Sequence, residues 1–238
     1  MSLCRPGGLE LTRYALHKAG LTPGQTLLDI GCGSGDAAAF AQREFSLSAT
    51  GIDCDREAVR AATEQGVHAL VQSADFLEFP SRSFDGVMME CVFSVLDRQE
   101  EAIHEAYCML KPGGVLILSD LYVRHPDMVR FRREHAEAMA RWRRPRVHED
   151  CEKQETLPSP FCQDGAVVVD SLKALLEELG LSVVLLEDRT GDLKEFLGQI
   201  ILDYGSVKQY IQAQPGSTLC RCTAPSAGYF LLIARKPL

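Results

Sequence analysis

Apolar residues fall along this chain in short runs of Val, Ile and Leu without strict alternation, and between the runs they recur at three- and four-residue spacing. The first pattern predicts strands covered on both faces, the second helices with one buried stripe. Strands are expected near 26–30 (TLLDI), 48–53 (SATGID), 68–72 (HALVQ), 85–90 (DGVMME), 114–119 (GVLILS), 182–188 (SVVLLED) and 228–235 (GYFLLIAR). Helices are expected near 8–20, 35–45, 55–65, 97–110 and 170–180. The last of these, DSLKALLEELG, opens on Asp170 as its N-cap and closes on Gly180, with Leu172, Leu175, Leu176 and Leu179 on one face. The KPGG at 111–114 predicts a turn between a helix and a strand. Alternating strands and helices predict an α/β fold with an open, doubly wound sheet, which binds ligands beyond the carboxyl ends of its strands.

Composition narrows the class without changing that picture. With 238 residues, 46% of them hydrophobic and 24% charged, the chain suits one soluble domain over residues 1–238. It has no apolar run of the roughly 20 residues that span a bilayer, and MSLCRPGGLE does not read as a signal peptide, so no membrane association and a cytoplasmic location are expected. Nine cysteines, an odd number scattered through the predicted elements, point to reduced thiols. A formal charge of -8 argues against a nucleic-acid partner, which would require clustered Lys and Arg.

The chemistry gathers in TLLDIGCGSGDAAAF, residues 26–40, where Gly31, Gly33 and Gly35 follow the first strand. A loop this bare lets a ligand approach the main chain. A triphosphate loop would need GxxxxGK, which is missing, and a dinucleotide loop would need a glycine where Asp36 stands. Asp29, two residues before Gly31, would repel a pyrophosphate but attract an ammonium or sulfonium group, and S-adenosylmethionine carries both. Asp53, ending the second strand, can accept hydrogen bonds from a ribose diol. Asp75 and Phe76 in SADF offer an acceptor and an apolar wall to adenine.

On these motifs, residues 20–122 and YFLLIARK at 229–236 resemble the class I S-adenosylmethionine-dependent methyltransferases. The resemblance implies a Rossmann-like seven-stranded methyltransferase sheet with the last strand antiparallel, helices on both faces and an inserted lid. It implies Asp29, Gly31, Gly33 and Gly35 around the methionine part, Asp53 on the ribose, Asp75 and Phe76 at the adenine, and Glu90 and Cys91 beside the methionine end. Cys32 and Cys54, adjoining the loop and the second-strand acid, are counted in the same cofactor set. Their side chains, like that of Cys108, read as small buried hydrophobes.

Methyl transfer from a sulfonium needs alignment and exclusion of water, and no base is obligatory. Where the acceptor must lose a proton, the strand-end groups Glu90, Asp120, Tyr122 and His125 are the candidates, with Glu90, Tyr122 and His125 foremost. Residues 121–169 are expected to form the lid and to recognise a small-molecule acceptor. Within it, 124–146 carries eight arginines against three acids, which suits either a solvated helix or a cap for an anionic acceptor.

Residues 90–124 are also similar to the matching stretch of arsenite methyltransferases, where a cysteine follows the fourth strand; this leaves open thiolate binding of a metalloid, with Cys162, Cys220 and Cys222 as partners. No metal ligands are assigned. Arg5 reads as a surface turn residue or as a contact to the cofactor carboxylate. The remaining alternatives are a nicotinamide oxidoreductase, which must explain Asp36 in place of glycine and Asp29 at the pyrophosphate, and a non-catalytic cofactor-binding module.

Overall fold

The computed structural model describes residues 5–127, 162–163, 166–213 and 227–238. Helix α1 (Gly8–Ala19) precedes β1 (Thr26–Ile30), α2 (Asp36–Phe45), β2 (Ser48–Asp53), α3 (Arg56–Glu64) and β3 (His68–Val71). β4 (Phe84–Glu90), a short 3-10 turn (Phe93–Val95), α4 (Gln99–Met109) and the long strand β5 (Leu110–Val123) follow. Beyond these lie β6 (Cys162–Gln163), β7 (Ala166–Val167), α5 (Val169–Glu178), β8 (Ser182–Asp188), α6 (Thr190–Tyr204), α7 (Val207–Ala213) and β9 (Ala227–Arg235).

All seven expected strands form, and two two-residue strands, β6 and β7, join the same sheet. The order runs β3-β2-β1-β4-β5, with parallel pairing throughout. β9 then pairs antiparallel with β5 on one side and with β8 on the other. β2 and β4 flank β1 on opposite sides, so the chain reverses its direction of travel across the sheet there. That reversal opens a crevice above the carboxyl ends of β1 and β4.

Successive residues of each strand serve opposite faces, which produces two cores. Leu27, Met88, Ile117 and Leu231 pack with α1, α2 and Leu193 of α6. Leu28, Met89, Leu118 and Leu232 pack with Ile103 of α4 and Leu176 of α5. Full burial on both faces explains why these strands do not alternate in sequence. Each buried Leu, Ile or Val contributes about 1.5–3 kcal/mol of transfer free energy.

Three local expectations are corrected. β5 starts at Leu110 rather than 114, because the KPGG turn is absorbed as an irregularity, with Gly113 at φ 77, between Leu110 opposite Phe84 and Val115 opposite Gly86. α5 is capped at Val168 without a side-chain bond, and Asp170 lies inside its first turn, where a carboxylate still complements the helix dipole. Between β8 and β9 the chain forms α6 and α7, which the strand-and-helix reading left out. Among the described residues no helix is long and apolar enough to cross a membrane. Of the expected lid, residues 128–161 and 164–165 lie outside the described residues.

Candidate functional site

The bend between β1 and α2 is tied to β2 from below: the Gly31 and Cys32 N–H groups both donate to Ile52 O, at 2.8 and 2.9 Å. Its three glycines serve different ends. Gly31 has φ 72, and a Cβ there would lie 2.4 Å from Val92, so this glycine admits the loop after β4. Gly35 has φ 84, and its Cβ would meet Ala62 at 2.7 Å, so it admits α3. Only Gly33, at φ 53, has open space where its Cβ would be. Of the three, Gly33 is the position that leaves the backbone bare for a ligand.

Gly33 is also the residue gripped by the second-strand acid. Asp53 Oδ2 accepts from Gly33 N at 2.9 Å and Oδ1 from Asp55 N at 2.9 Å. The Cys54 thiol also bonds this carboxylate, whose roughly four acceptor sites still leave room for a hydroxyl donor. Behind the bend, Asp36 stands in the first turn of α2 and accepts from the Ser34 hydroxyl at 3.0 Å and from Gln65 at 2.9 Å. A carboxylate thus already sits at the helix N-terminus that a dinucleotide fold reserves for its pyrophosphate.

On the other side of the bend lies a buried charge cluster. Asp29 is 2% exposed, and its Oδ2 has no hydrogen-bond partner among the described residues. Burial above all, and then the neighbouring Glu90, push its carboxyl up to about 8. Arg5 Nη2 lies 2.8 Å from Glu90 Oε2 and donates to the Thr12 hydroxyl at 2.7 Å, and that hydroxyl is 3.1 Å from both Glu90 oxygens. Arg5 is therefore no surface turn residue: its side chain is 14% exposed and bridges the segment before α1 to the end of β4.

Cys91 follows Glu90 at φ 56, an unusual conformation for a residue with a side chain. Its backbone N–H donates to Ser119 O at 2.8 Å, and its Sγ lies 2.9 Å from the Tyr229 hydroxyl, which reaches Ser119 Oγ at 3.2 Å. Burial pushes the Cys91 thiol up to about 12. Cys32, packed beside Gly51, is likewise pushed up to about 12 by burial. Neither is a thiolate near neutral pH in the unliganded chain, and Cys32 is the small buried hydrophobe expected. Cys54 and Cys108, in contrast, are exposed, so the expectation of buried thiols fails for both. Cys54 lies just past the end of β2, and Cys108 is on the outer side of α4.

At the far end of the bend, Phe76 is 68% exposed and Asp75 is already engaged. Asp75 accepts from Ser73 and pairs with Arg98 at 2.9 Å, and Arg98 is held in turn by Glu101 at 2.9 Å. Arg98 and its hold on Asp75 had no sequence signal beyond a charged residue ahead of α4.

The candidate bases are mostly committed elsewhere. Glu90 is paired with Arg5, as above. Asp120 accepts from Ser94 N at 2.8 Å, Ser94 Oγ at 2.7 Å and Leu121 N at 2.7 Å, so it fixes the turn after β4. Burial still carries its carboxyl up to about 6. Tyr122 is hydrogen-bonded to Asp188 and Thr190, and burial raises its phenol. His125 is exposed. Among the described residues no group of three His, Cys, Asp or Glu side chains could hold a metal ion. The side chain of Cys162, with Cys220, Cys222 and every arginine of 130–146, lies outside the described residues.

Residues 28–118 match the family model described as a methyltransferase domain. Phosphoethanolamine N-methyltransferase 1 of Arabidopsis thaliana is 31% identical over 127 residues, which cover 50% of this chain and 26% of that protein. The chain therefore spans about a quarter of that relative's length. The 27-O-demethylrifamycin SV methyltransferase of Amycolatopsis mediterranei is 29% identical over 249 residues, covering 95% of this chain and 84% of that one. Among solved structures, Haemonchus contortus phosphoethanolamine N-methyltransferase 2, in complex with phosphomonomethylethanolamine and S-adenosylhomocysteine, shares the fold with a TM-score of 0.68 and 20% identity, over 98% of this chain and 54% of that one.

Proposed function

We propose, from the premise that this chain belongs to the class I S-adenosylmethionine-dependent methyltransferases, that it transfers the methyl group of S-adenosylmethionine to a small-molecule acceptor. The observation that carries this reading is a pair of carboxylates, buried Asp29 and half-buried Asp53, at the bend whose one glycine with open space is Gly33. An ammonium group suits the unpartnered Asp29 oxygen, a ribose diol suits the remaining lone pairs of Asp53, and a purine suits exposed Phe76. The S-adenosylhomocysteine bound in the Haemonchus enzyme, which shares this fold, supports the same cofactor.

When bound, the cofactor supplies a methyl group on a positively charged sulfur for in-line displacement. This chain's contribution is to bind and orient: Asp29 holds the cationic end beside the Arg5–Glu90 pair, Asp53 fixes the ribose, and Asp75 with Phe76 receives the base. Cys91 shapes the backbone beside the methionine end. Since Glu90, Asp120 and Tyr122 are engaged with protein partners, alignment and exclusion of water provide most of the rate, and exposed His125 is the strand-end candidate left to accept a proton. Residues 121–169 act as the acceptor-binding lid, and their arginines favour an anionic small molecule. The protein works in the cytoplasm.

Calorimetric titration with S-adenosylmethionine, S-adenosylhomocysteine and NAD, followed by a mass-spectrometric screen for methylated small molecules, tests this reading. Binding of the first two without NAD, and a product roughly 14 Da heavier than its acceptor, as a methyl group replaces one hydrogen, is the expected result. Uptake of NAD alone would overturn it.

A further inference from the structure

Most charged groups in the crevice are matched by the fold itself, and Asp29 is the exception. Glu90 has a cation, Arg5, at 2.8 Å and a hydroxyl, Thr12, at 3.1 Å. Asp53 accepts two backbone N–H groups. Asp29 is as buried as a leucine of the core, yet its Oδ2 has no hydrogen-bond partner among the described residues. The groups that act on it are Glu90 from β4, Arg5 from the segment before α1, Asp53 from β2, the Ala38 N–H from α2 and the neighbouring Cys32 thiol. Arg5 is shared, and its short contact goes to Glu90. With Arg5 and Glu90 both charged, an ionised Asp29 would leave this buried cluster with one unmatched negative charge. Burying such a charge costs several kcal/mol, a penalty that a proton removes.

We propose that Asp29 is a proton store for cofactor binding: it carries a proton while the crevice is free, and it releases that proton as the ammonium end of S-adenosylmethionine or S-adenosylhomocysteine takes its place. This rests on the cofactor reading above. The balance is simple. The O–H bond of Asp29 breaks, the proton passes to the buffer, the electron pair stays on the carboxylate, and the incoming ammonium restores neutrality beside the Arg5–Glu90 pair. No other bond forms or breaks. Arg5 is the positioning residue in this scheme, since by matching Glu90 it leaves Asp29 as the one carboxyl whose charge depends on the ligand.

The direction of the Asp29 shift agrees: burial, then Glu90, carry its carboxyl to about 8. Roughly nine-tenths of the free protein would then hold this proton at pH 7. Cofactor affinity should rise by up to about tenfold for each pH unit between 6 and 8, because below the folded pKa binding must first displace the proton.

The test is isothermal titration of the full chain with S-adenosylhomocysteine, which retains the ammonium group, at pH 7 in phosphate, HEPES and Tris. The dependence of the observed heat on buffer ionisation enthalpy counts the protons. Close to one proton released per ligand, together with a Kd that tightens from pH 6 to 8, is expected. Binding that releases no proton at pH 7 overturns the proposal while leaving the cofactor reading intact. No binding at any pH removes both. Asp29→Asn should bind more weakly and release none, so a proton still released by that variant assigns the source elsewhere and overturns the proposal. Glu90→Gln supplies a second check that does not touch Asp29: with the neighbouring anion gone, proton release at pH 7 should drop, and an undiminished count would overturn the assignment.

Discussion

The Arg5 guanidinium lies 2.8 Å from the Glu90 carboxylate, joining residues 85 positions apart with both side chains largely buried. Removing one member of such a pair leaves the other charge without compensation, which typically costs about 3–5 kcal/mol, whereas replacing both is far milder. Arg5→Met should therefore destabilise the chain by several kcal/mol in urea denaturation, and Arg5→Met with Glu90→Gln should recover most of the loss. A double variant no better than the single would show that Arg5 acts by packing its stem rather than by matching charge.

Gly31 and Gly33 stand two residues apart and should respond differently to alanine. At Gly31 the new Cβ would lie 2.4 Å from Val92, and φ is 72, so Gly31→Ala combines a steric clash with left-handed strain. The strain alone costs about 1–2 kcal/mol, and the loop after β4 must also move. At Gly33 the Cβ meets nothing within 4 Å. Gly33→Ala should cost only the backbone strain in a thermal melt but should lose a larger factor in S-adenosylhomocysteine affinity. Equal losses of stability and equal affinities in the two variants would contradict this division of labour.

How far the site was legible follows from the same residues. The bend, Asp29 and Asp53 could be read from the linear sequence because each lies at a strand end, where βα geometry alone determines what faces the crevice. That Gly31 and Gly35 serve Val92 and Ala62 could not, since those partners lie 61 and 27 residues away. Arg5 was ambiguous for the same reason: a guanidinium in CRPGG looks like a turn residue until Glu90 is brought beside it. α6 is a different kind of omission. Leu193, Phe196, Leu197 and Ile200 recur at helical spacing, so its signal was present and local. Cys54 and Cys108 went astray because composition predicts the average burial of a cysteine and cannot say which side of an element it faces.

Asp120 and Asp29 both have carboxyls raised by burial, to about 6 and about 8. Unfolded, each releases its proton near pH 4. The folded chain then holds protons that the unfolded chain has lost, so this contribution is complete below pH 4 and disappears as pH rises through about 6 for Asp120 and about 8 for Asp29. Each group can set a slope of at most about 1.4 kcal/mol per pH unit across its window. Denaturation free energies between pH 4 and 9 should fall over that range, with Asp120→Asn flattening only the acid part. A slope that survives there would assign it to other groups.

The four described thiols divide by exposure. Cys54 and Cys108 face solvent, while Cys32 and Cys91 are shielded and pushed up to about 12 by burial. A maleimide pulse followed by peptide mass spectrometry should label Cys54 and Cys108 well before Cys32 or Cys91, because the thiolate is the reacting form. S-adenosylhomocysteine should slow labelling at Cys54, next to Asp53, the residue proposed to hold the ribose, without affecting Cys108 on α4. Protection of Cys108 instead would place the ligand away from β2.

Phe76 provides the sharpest separation of binding from folding. A ring 68% exposed has little core to lose, so Phe76→Ala should change stability by no more than about 0.5 kcal/mol. Stacking of a base on an aromatic side chain is worth about 1–3 kcal/mol by alanine substitution, which corresponds to a roughly 5- to 150-fold weaker Kd. Asp75 offers the complementary check, since its pairing with Arg98 at 2.9 Å competes with any amino group that approaches it. Arg98→Ala frees that acceptor at the expense of a partly exposed ion pair worth about 1 kcal/mol or less. Calorimetry of the two variants should therefore move in opposite directions, weaker for Phe76→Ala and equal or tighter for Arg98→Ala. Unchanged affinity in Phe76→Ala would mean that the base binds elsewhere along the crevice, and a loss in Arg98→Ala would make the guanidinium a contact to the ligand rather than its competitor.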